Sequence, residues 1–230
     1  MKKSKRIAIF DIDGTIFRSS LLIELVNVLI QEGLFSEKVK NIYTKAYKKW
    51  SNREGSYDDY INAVVKAFEI NIQGVNNKVF KKIAKKVVLN NRDRVYRYTR
   101  DLVKELKKKN YYLLAISNSP KEIVQDFCKE LGFDSFYGRV YEINNNKFTG
   151  KTLHLDLISN KSKMLKYALE KEGLTLTGSI GVGDSESDIP LLKMVENPIC
   201  FNPNKKLYTT AKHLGWKVVV ERKDVIYDIV

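Results

Sequence analysis

Two aspartates in the run Asp11-Ile12-Asp13-Gly14-Thr15, and two more in the run that opens Gly183-Asp184 and ends at Asp188, are the residues best suited to chemistry in this chain. Between them lie Ser117-Asn118-Ser119 and Lys161. The set fits phosphoryl transfer. A carboxylate such as Asp11 attacks phosphorus and forms an acyl phosphate, dividing one hard displacement into two easier ones. Because Asp11 and a phosphate are both anionic, a cation must sit between them. Mg2+, a hard ion preferring oxygen ligands, suits a cluster of Asp11 and Asp184. Asp13 is spaced to protonate a leaving alkoxide and then to activate water. Ser117 and the Lys161 ammonium suit the equatorial oxygens of the transferring group, and main-chain amides at the start of the helix after Ser119 add to them.

The elements that must position these groups follow from the hydrophobic pattern. Residues 7–10 form a short apolar run with β-branched side chains, a buried strand whose carboxyl end delivers Asp11. From residue 20 to about 90 the period is helical. Val39, Ile42, Tyr43, Ala46, Tyr47 and Trp50 share one face; Tyr60, Ile61, Val64, Val65 and Phe68 share another, behind an N-cap at Ser56. Val75, Val79, Phe80, Ile83, Ala84, Val87 and Val88 form a third, and with the apolar segment 21–30 this predicts an inserted bundle of about four helices. Tyr43, Tyr47 and Trp50 are expected in its core rather than on a substrate-stacking surface.

Beyond residue 92, helical and strand periods alternate: helix 102–109, strand 111–116, helix 119–131, a hairpin over 137–155 turning at Asn144-Asn145-Asn146, helix 160–172, and strands at 179–182, 199–201 and 218–220. Ser119 is the expected N-cap of its helix, with Pro120 at the first helical position, Glu122 completing a capping box and Gly132 ending it. Such alternation predicts an α/β fold, a Rossmann-like, mainly parallel sheet flanked by helices, with its ligand site beyond the carboxyl ends of the strands.

With these motifs in this order, the chain resembles the haloacid dehalogenase-like hydrolase superfamily, and the stretch from SNSP through ELGFD to FTGK looks most like its phosphoserine-phosphatase-like branch. The resemblance implies a core of residues 1–18 and 92–230 and an all-helical C1-type cap over 19–91, which opens and closes over the site. It implies Asp11 as nucleophile, Asp13 as acid and base, and Ser117 and Lys161 as the other catalytic residues. Mg2+ would be bound by Asp11, the main-chain oxygen of Asp13 and Asp184, with Asp188 orienting or ligating it. Lys161 is preferred over Lys163 because its spacing to Asp184 and to Met164, Leu165, Ala168 and Leu169 matches the family helix. Gly14, Thr15, Asn118, Arg18 and Ser20 would bind the phosphate or the substrate. Asp13 argues for a phosphatase, with a phosphotransferase as the lesser alternative, since the superfamily's dehalogenases lack it and its ion pumps replace it with Thr. The branch holds the phosphoserine amine with a Glu where this chain has Ser20, and its cap Arg has no counterpart in 60–65, so a small phosphorylated metabolite other than phosphoserine is expected.

Composition narrows the alternatives. The 230 residues are 43% hydrophobic and 30% charged, with four prolines, as in ordinary globular proteins. The net charge of +14 could attract a phosphorylated macromolecule such as a nucleic-acid end, but no nucleic-acid motif accompanies it, and Lys78, Lys81, Lys82, Lys85 and Lys86 are expected on a solvated helix face. The basic segment 1–6 is followed by an apolar run broken at Asp11 and Asp13, unlike a signal peptide, and 21–30 is too short to span a bilayer. Cys128 and Cys200 sit in apolar runs and read as reduced core residues of a cytoplasmic protein; His154 and His213 read as structural. A non-catalytic binding protein of the same fold is disfavoured by the intact Asp11, Asp13, Lys161 and Asp184.

Overall fold

The computed structural model describes residues 5–158 and 160–229; Met1–Ser4 of the basic N-terminal segment lie outside the described residues. In chain order the elements are β1 (Arg6–Phe10), α1 (Leu21–Gln31), α2 (Lys40–Ser51), α3 (Tyr57–Asn71), α4 (Asn77–Asn91), α5 (Arg97–Lys108), β2 (Tyr112–Pro120), α6 (Lys121–Leu131), β3 (Ser135–Asn144) and β4 (Lys147–Leu153). Then follow α7 (Leu155–Ile158), α8 (Lys161–Glu172), β5 (Thr175–Gly183), α9 (Ile189–Leu192), β6 (Asn197–Phe201), α10 (Lys205–Leu214), β7 (Lys217–Arg222) and β8 (Val225–Asp228).

The strands form one sheet in the order β4-β3-β2-β1-β5-β6-β7-β8. All internal pairings are parallel, and only the two edge strands run antiparallel. The chain builds outward from β1 to one side and then returns to β5 on the other, so the crevice where strand order reverses lies at the carboxyl end of β1. Alternation splits the core in two. Ala8 and Phe10 of β1 with Leu113 and Ala115 of β2 face α1–α6, whereas Ile7, Ile9, Leu114 and Ile116 face α8, α9 and α10. Cys128 and Cys200 are free and buried, one on each side.

The predicted α/β class and hairpin are observed, the latter with Asn145 and Asn146 at φ 47° and 61°, the pair of positive values a two-residue turn needs. Three details differ from the sequence reading. First, β2 runs on to Pro120, which is itself the N-cap of α6 and offers no side-chain bond. Ser119 does not cap, because the helix begins only at Lys121 and because its hydroxyl is engaged by Asp13. Second, the short edge strand β8 was not expected; it is four residues long, largely exposed, and joined to β7 through Lys223 at φ 56°. Third, Val79 and Ile42 of the predicted stripes are exposed, at the edges of faces that wrap only partly around their helices.

Helices α1–α4 are not packed apart from the rest. Phe80 of α4 stands edge-on to Phe148 of β4 at 4.9 Å and is 6.1 Å from Phe68 of α3. Main-chain bonds from Gly74 N to Phe148 O (2.8 Å), Phe148 N to Val75 O (3.0 Å) and Asn77 N to Asn146 O (2.9 Å) fasten the α3–α4 turn to the β3–β4 hairpin. Truncating a buried phenylalanine costs about 3–5 kcal/mol. Phe80→Ala is therefore expected to lower the urea midpoint with a loss in that range. A loss below 1 kcal/mol would show that the helices and hairpin do not share a core.

Candidate active site

Each strand end at the crevice delivers one part of the site. Asp11 follows β1 directly, and its amide donates to Val182 O of β5 at 2.9 Å, fixing the loop to the neighbouring strand. Ser117 and Ser119 lie in the last four residues of β2, and Gly183 closes β5 just before Asp184. Lys161 opens α8, where Asn160 caps the helix through bonds from the amides of Ser162 (3.1 Å) and Lys163 (3.3 Å). That cap turns Lys161 inward and Lys163 outward: Lys161 is 3% exposed, whereas Lys163 is solvent-facing.

The buried Lys161 ammonium bridges two carboxylates, Asp11 Oδ1 at 2.7 Å and Asp188 Oδ1 at 2.5 Å. Asp188 Oδ2 accepts from the amides of Asp184 (3.1 Å) and Ser185 (3.0 Å), so both its oxygens already have protein partners. Its inward reach requires Gly183: a Cβ there would lie 2.4 Å from Asp188 Cγ. On the opposite side Gly14, at φ +79°, leaves room for Asp184, whose Oδ2 would sit 2.3 Å from an added Cβ. Thr15 is buried and donates its hydroxyl to Asp184 Oδ1 at 3.2 Å. Carboxylate oxygens of Asp11, Asp184 and Asp188 thus lie within 4.8 Å of one another.

Fully ionised, three carboxylates against one ammonium would leave the cluster two negative charges in excess, with Asp11, Asp188 and Lys161 buried and Asp184 partly exposed to the cavity. Like charges about 5 Å apart repel by about 3 kcal/mol even at an effective dielectric of 20. Burial, and after it the neighbouring charges of Asp188 and Asp13, push the Asp11 carboxyl up to about 7, despite the opposing pull of Lys161. Asp184 is raised well above the ordinary carboxylate range, by burial first and then by Asp11 and Asp188. Burial works against the Lys161 cation, but its two carboxylate partners outweigh that and raise it. A divalent cation would neutralise the excess, and an all-oxygen donor set suits a hard ion, so these residues fit a metal such as Mg2+.

Asp13 lies apart from that cluster. Its Oδ2 accepts from the hydroxyls of Ser117 (2.7 Å) and Ser119 (2.9 Å), and its Oδ1 accepts from the amide of Leu21, the first residue of α1, at 2.6 Å. Its side chain is thereby directed to β2 and α1. Ser117, expected on the phosphoryl oxygens, spends its hydroxyl proton on Asp13 and accepts from Ser119 N at 3.0 Å.

A cavity of about 350 Å³ opens over these groups, lined by Asp11, Asp13, Ser20, Asn118, Lys161 and Asp184 on the sheet side. Asn118 carries a buried Oδ1 with no hydrogen-bond partner. The helical side is formed by Tyr57, Asp58, Ile61, Asn62 and Val65 of α3, so Ile61 and Val65, read from the sequence as bundle core, face the cavity instead. Arg18 is elsewhere: it is exposed, with its guanidinium 5.4 Å from the Tyr96 ring, and borders a second recess with Gly14. Sequence reasoning missed Arg139 and the acidic pair Asp58 and Glu186, which also line the cavity. Arg139 comes from β3 and pairs with Glu69 of α3 at 2.7 Å, and its Nε is buried without a partner. Thus an arginine and two acids do enter the cavity, from elements other than those searched in the sequence. Only the Gly-Arg step of β3, polar where its neighbours are apolar, hinted at it. His154 and His213 are exposed and distant from this set.

Residues 8–193 match the haloacid dehalogenase-like hydrolase family. The chain belongs to that family. It is 25% identical over 226 residues to the phosphoserine phosphatase of Methanocaldococcus jannaschii, covering 98% of this chain and 96% of that protein. It is 22% identical over 210 residues to the phosphoserine phosphatase of Archaeoglobus fulgidus, where the match covers 91% of this chain and 56% of its longer relative. The chain thus spans little more than half the length of the Archaeoglobus protein, and 41% of the phosphoserine phosphatase SerB1 of Mycobacterium tuberculosis, to which it is 26% identical over 127 residues (55% of this chain). Among solved structures, a Bordetella pertussis protein of unknown function has a TM-score of 0.75 at 17% identity, covering 94% of this chain and 98% of that one. A phospho-aspartyl intermediate analogue of phosphoserine phosphatase has a TM-score of 0.64 at 21% identity, covering 96% of each chain. Both share the fold. Among the described residues no helix is long and apolar enough to cross a membrane.

The electrostatics give a direct expectation for the metal-free protein. A carboxyl raised from 3.8 to about 7 on folding favours the folded state at low pH, and that contribution is lost as pH rises through about 4 to 7. Its size is on the order of a few kcal/mol. Added Mg2+ should therefore raise the melting temperature more at pH 8 than at pH 5, and Asp11→Asn should raise it in chelator at pH 8 while abolishing most of the Mg2+ gain. Equal Mg2+ shifts at both pH values in the wild type would contradict this.

Proposed function

We propose that this protein is a magnesium-dependent phosphomonoester hydrolase that works through an aspartyl phosphate on Asp11, acting on a small phosphorylated metabolite. The observation that carries the reading is the buried Lys161 bridging Asp11 and Asp188 beside Asp184, a cluster left two charges negative and open to a cavity of about 350 Å³. Residues 19–91 serve as the cap, over a core of residues 1–18 and 92–230. Two buried free cysteines suit a reducing, cytoplasmic setting.

In this reading Asp11 Oδ attacks phosphorus while the ester bond to the leaving oxygen breaks, and protonated Asp13 gives its proton to that oxygen. Asp13, now ionised, takes a proton from water, whose oxygen attacks the acyl phosphate and frees Asp11. Asp11, Asp184, the main-chain oxygen of Asp13 and, through Lys161 and the 184–185 amides, Asp188 would hold Mg2+, which when bound supplies a positive charge to offset repulsion between the nucleophile and phosphate. Ser117 and Ser119 hold the Asp13 carboxylate in place, and Leu21 N ties it to the start of the cap. Lys161, Asn118 and Ser20 face the phosphoryl position, Gly14 and Thr15 shape the loop beneath Asp184, and Arg18 touches the substrate at the neighbouring recess. A substrate other than phosphoserine is favoured by the uncharged Ser20, buried in the cavity wall, although Asp58, Glu186 and Arg139 supply both signs of charge from other elements.

Phosphate release from a panel of phosphomonoesters, with and without Mg2+, tests the function. Asp11→Asn should lower kcat by roughly a thousandfold or more on every ester the wild type cleaves, as loss of a covalent nucleophile does. Wild-type rates in that variant, or turnover indifferent to chelator, would end the proposal.

A further inference from the structure

Beside the catalytic cavity lies a second hollow of about 590 Å³, between α1, α2, the start of α3 and the loop that begins at Gly14. Its walls are mainly aromatic. Trp50 and Tyr60 are stacked, with centroids 5.5 Å apart and planes 16° from parallel; Tyr47 stands 5.2 Å from Tyr60, and Tyr57 meets Trp50 edge-on at 5.3 Å. Of the three α2 aromatics expected in the bundle core, Tyr43 alone is buried; Trp50 is half-buried and Tyr47 is 45% exposed. The helices splay here, so the stripe that a closed bundle would bury lines an open recess instead.

Two features connect this recess with the reaction. Tyr57 lines both hollows, as their shared wall, and Gly14, next to Asp13, lines the recess. Among the described residues no carboxylate lines it, whereas Arg18 and Lys40 do, with Ser19, Asn27 and Thr44 as neutral polar groups. Aromatic faces attract both flat rings and cations. The basic lining argues against a cationic guest. The scattered hydroxyl and amide groups suit a ring bearing heteroatoms better than a plain alkyl chain. A volume near 590 Å³ lies within the range of small-molecule sites, while the 350 Å³ cavity suits a phosphoryl group and a short link.

We infer that the recess receives a planar aromatic or heteroaromatic ring on the leaving group, extending past Tyr57 while the phosphoryl group sits at Asp11. This rests on the phosphatase reading and specifies its substrate class. Trp50 and Tyr47 then determine specificity without taking part in the chemistry, and esters with a ring are cleaved in preference to aliphatic ones.

The test compares adenosine monophosphate and 2-phenylethyl phosphate, each with a link between ring and ester oxygen, with glycerol phosphate, in Mg2+. Trp50→Leu and Tyr47→Leu should each lower kcat/KM for the two aromatic esters by about tenfold, the weight of one stacking contact, and leave glycerol phosphate within about twofold. Trp50→Phe, which keeps a ring, should recover most of the loss. Tyr47 is exposed enough for its replacement to leave the fold intact, so it carries the test if Trp50→Leu does not fold. The chain has two tryptophans, Trp50 and Trp216. In an Asp11→Asn, Trp216→Phe background the aromatic esters should quench Trp50 fluorescence, and glycerol phosphate should displace them competitively without quenching. Equal losses on all three esters, no loss on any, or quenching that glycerol phosphate cannot displace would overturn the recess while leaving Mg2+-dependent phosphate release untouched. Absence of that release from every ester would remove the phosphatase reading, and this inference with it.

Discussion

Three carboxylates gathered beside one buried ammonium are the constraint on which the rest of the structure depends. Left alone the arrangement is unfavourable: burial and mutual repulsion push Asp11 and Asp184 towards the protonated form, which is useless for nucleophilic attack. The fold tolerates it because every approach is enforced. Asp188 is held by two main-chain amides and by Lys161, Asp184 by Thr15, and Asp11 by its amide on β5. Two glycines, Gly14 and Gly183, leave the space that any Cβ would fill. Stability given up at this point is supplied by the two apolar layers on either face of the sheet.

The same constraint explains the placement of Asp13. A second carboxylate only two residues from Asp11 would worsen the repulsion if it pointed into the cluster. It turns instead to two serine hydroxyls at the end of β2 and to the first amide of α1. Asp11 and Asp13 therefore occupy different electrostatic environments: one beside a buried ammonium, the other in a net of neutral donors. Two carboxylates in unlike surroundings are what a reaction with separate nucleophilic and proton-transfer roles needs.

Much of this was legible in the sequence because each strand end carries its polar group directly after an apolar run. The strand at 7–10 and the turn at Asn145-Asn146 follow from local pattern alone, whereas Lys161 over Lys163 follows from the family resemblance. What was illegible depends on contacts between distant segments. Ser119 reads as a helix cap from its neighbours, and only the presence of Asp13 draws its hydroxyl away. Arg139 reads as an ordinary strand residue until Glu69 of α3 is brought to it. The aromatic stripe of α2 reads as core since periodicity reports which residues share a face, not whether another helix covers that face.

How substrate reaches Asp11 is limited by the way the helical segment is fastened. A rigid lift of α1–α4 on a hinge near residues 16–20 would have to break the Leu21–Asp13 bond at one end and the three main-chain bonds to the β3–β4 hairpin at the other. It would also part the Phe80–Phe148 contact and open the apolar layer that α4 shares with α6. The free edge is the other one, where α2 and the start of α3 overhang the aromatic recess and no described strand pairs with them. A movement confined to α2 would break none of those bonds. If the recess takes a ring as proposed, access and ring recognition would fall to the same aromatic wall.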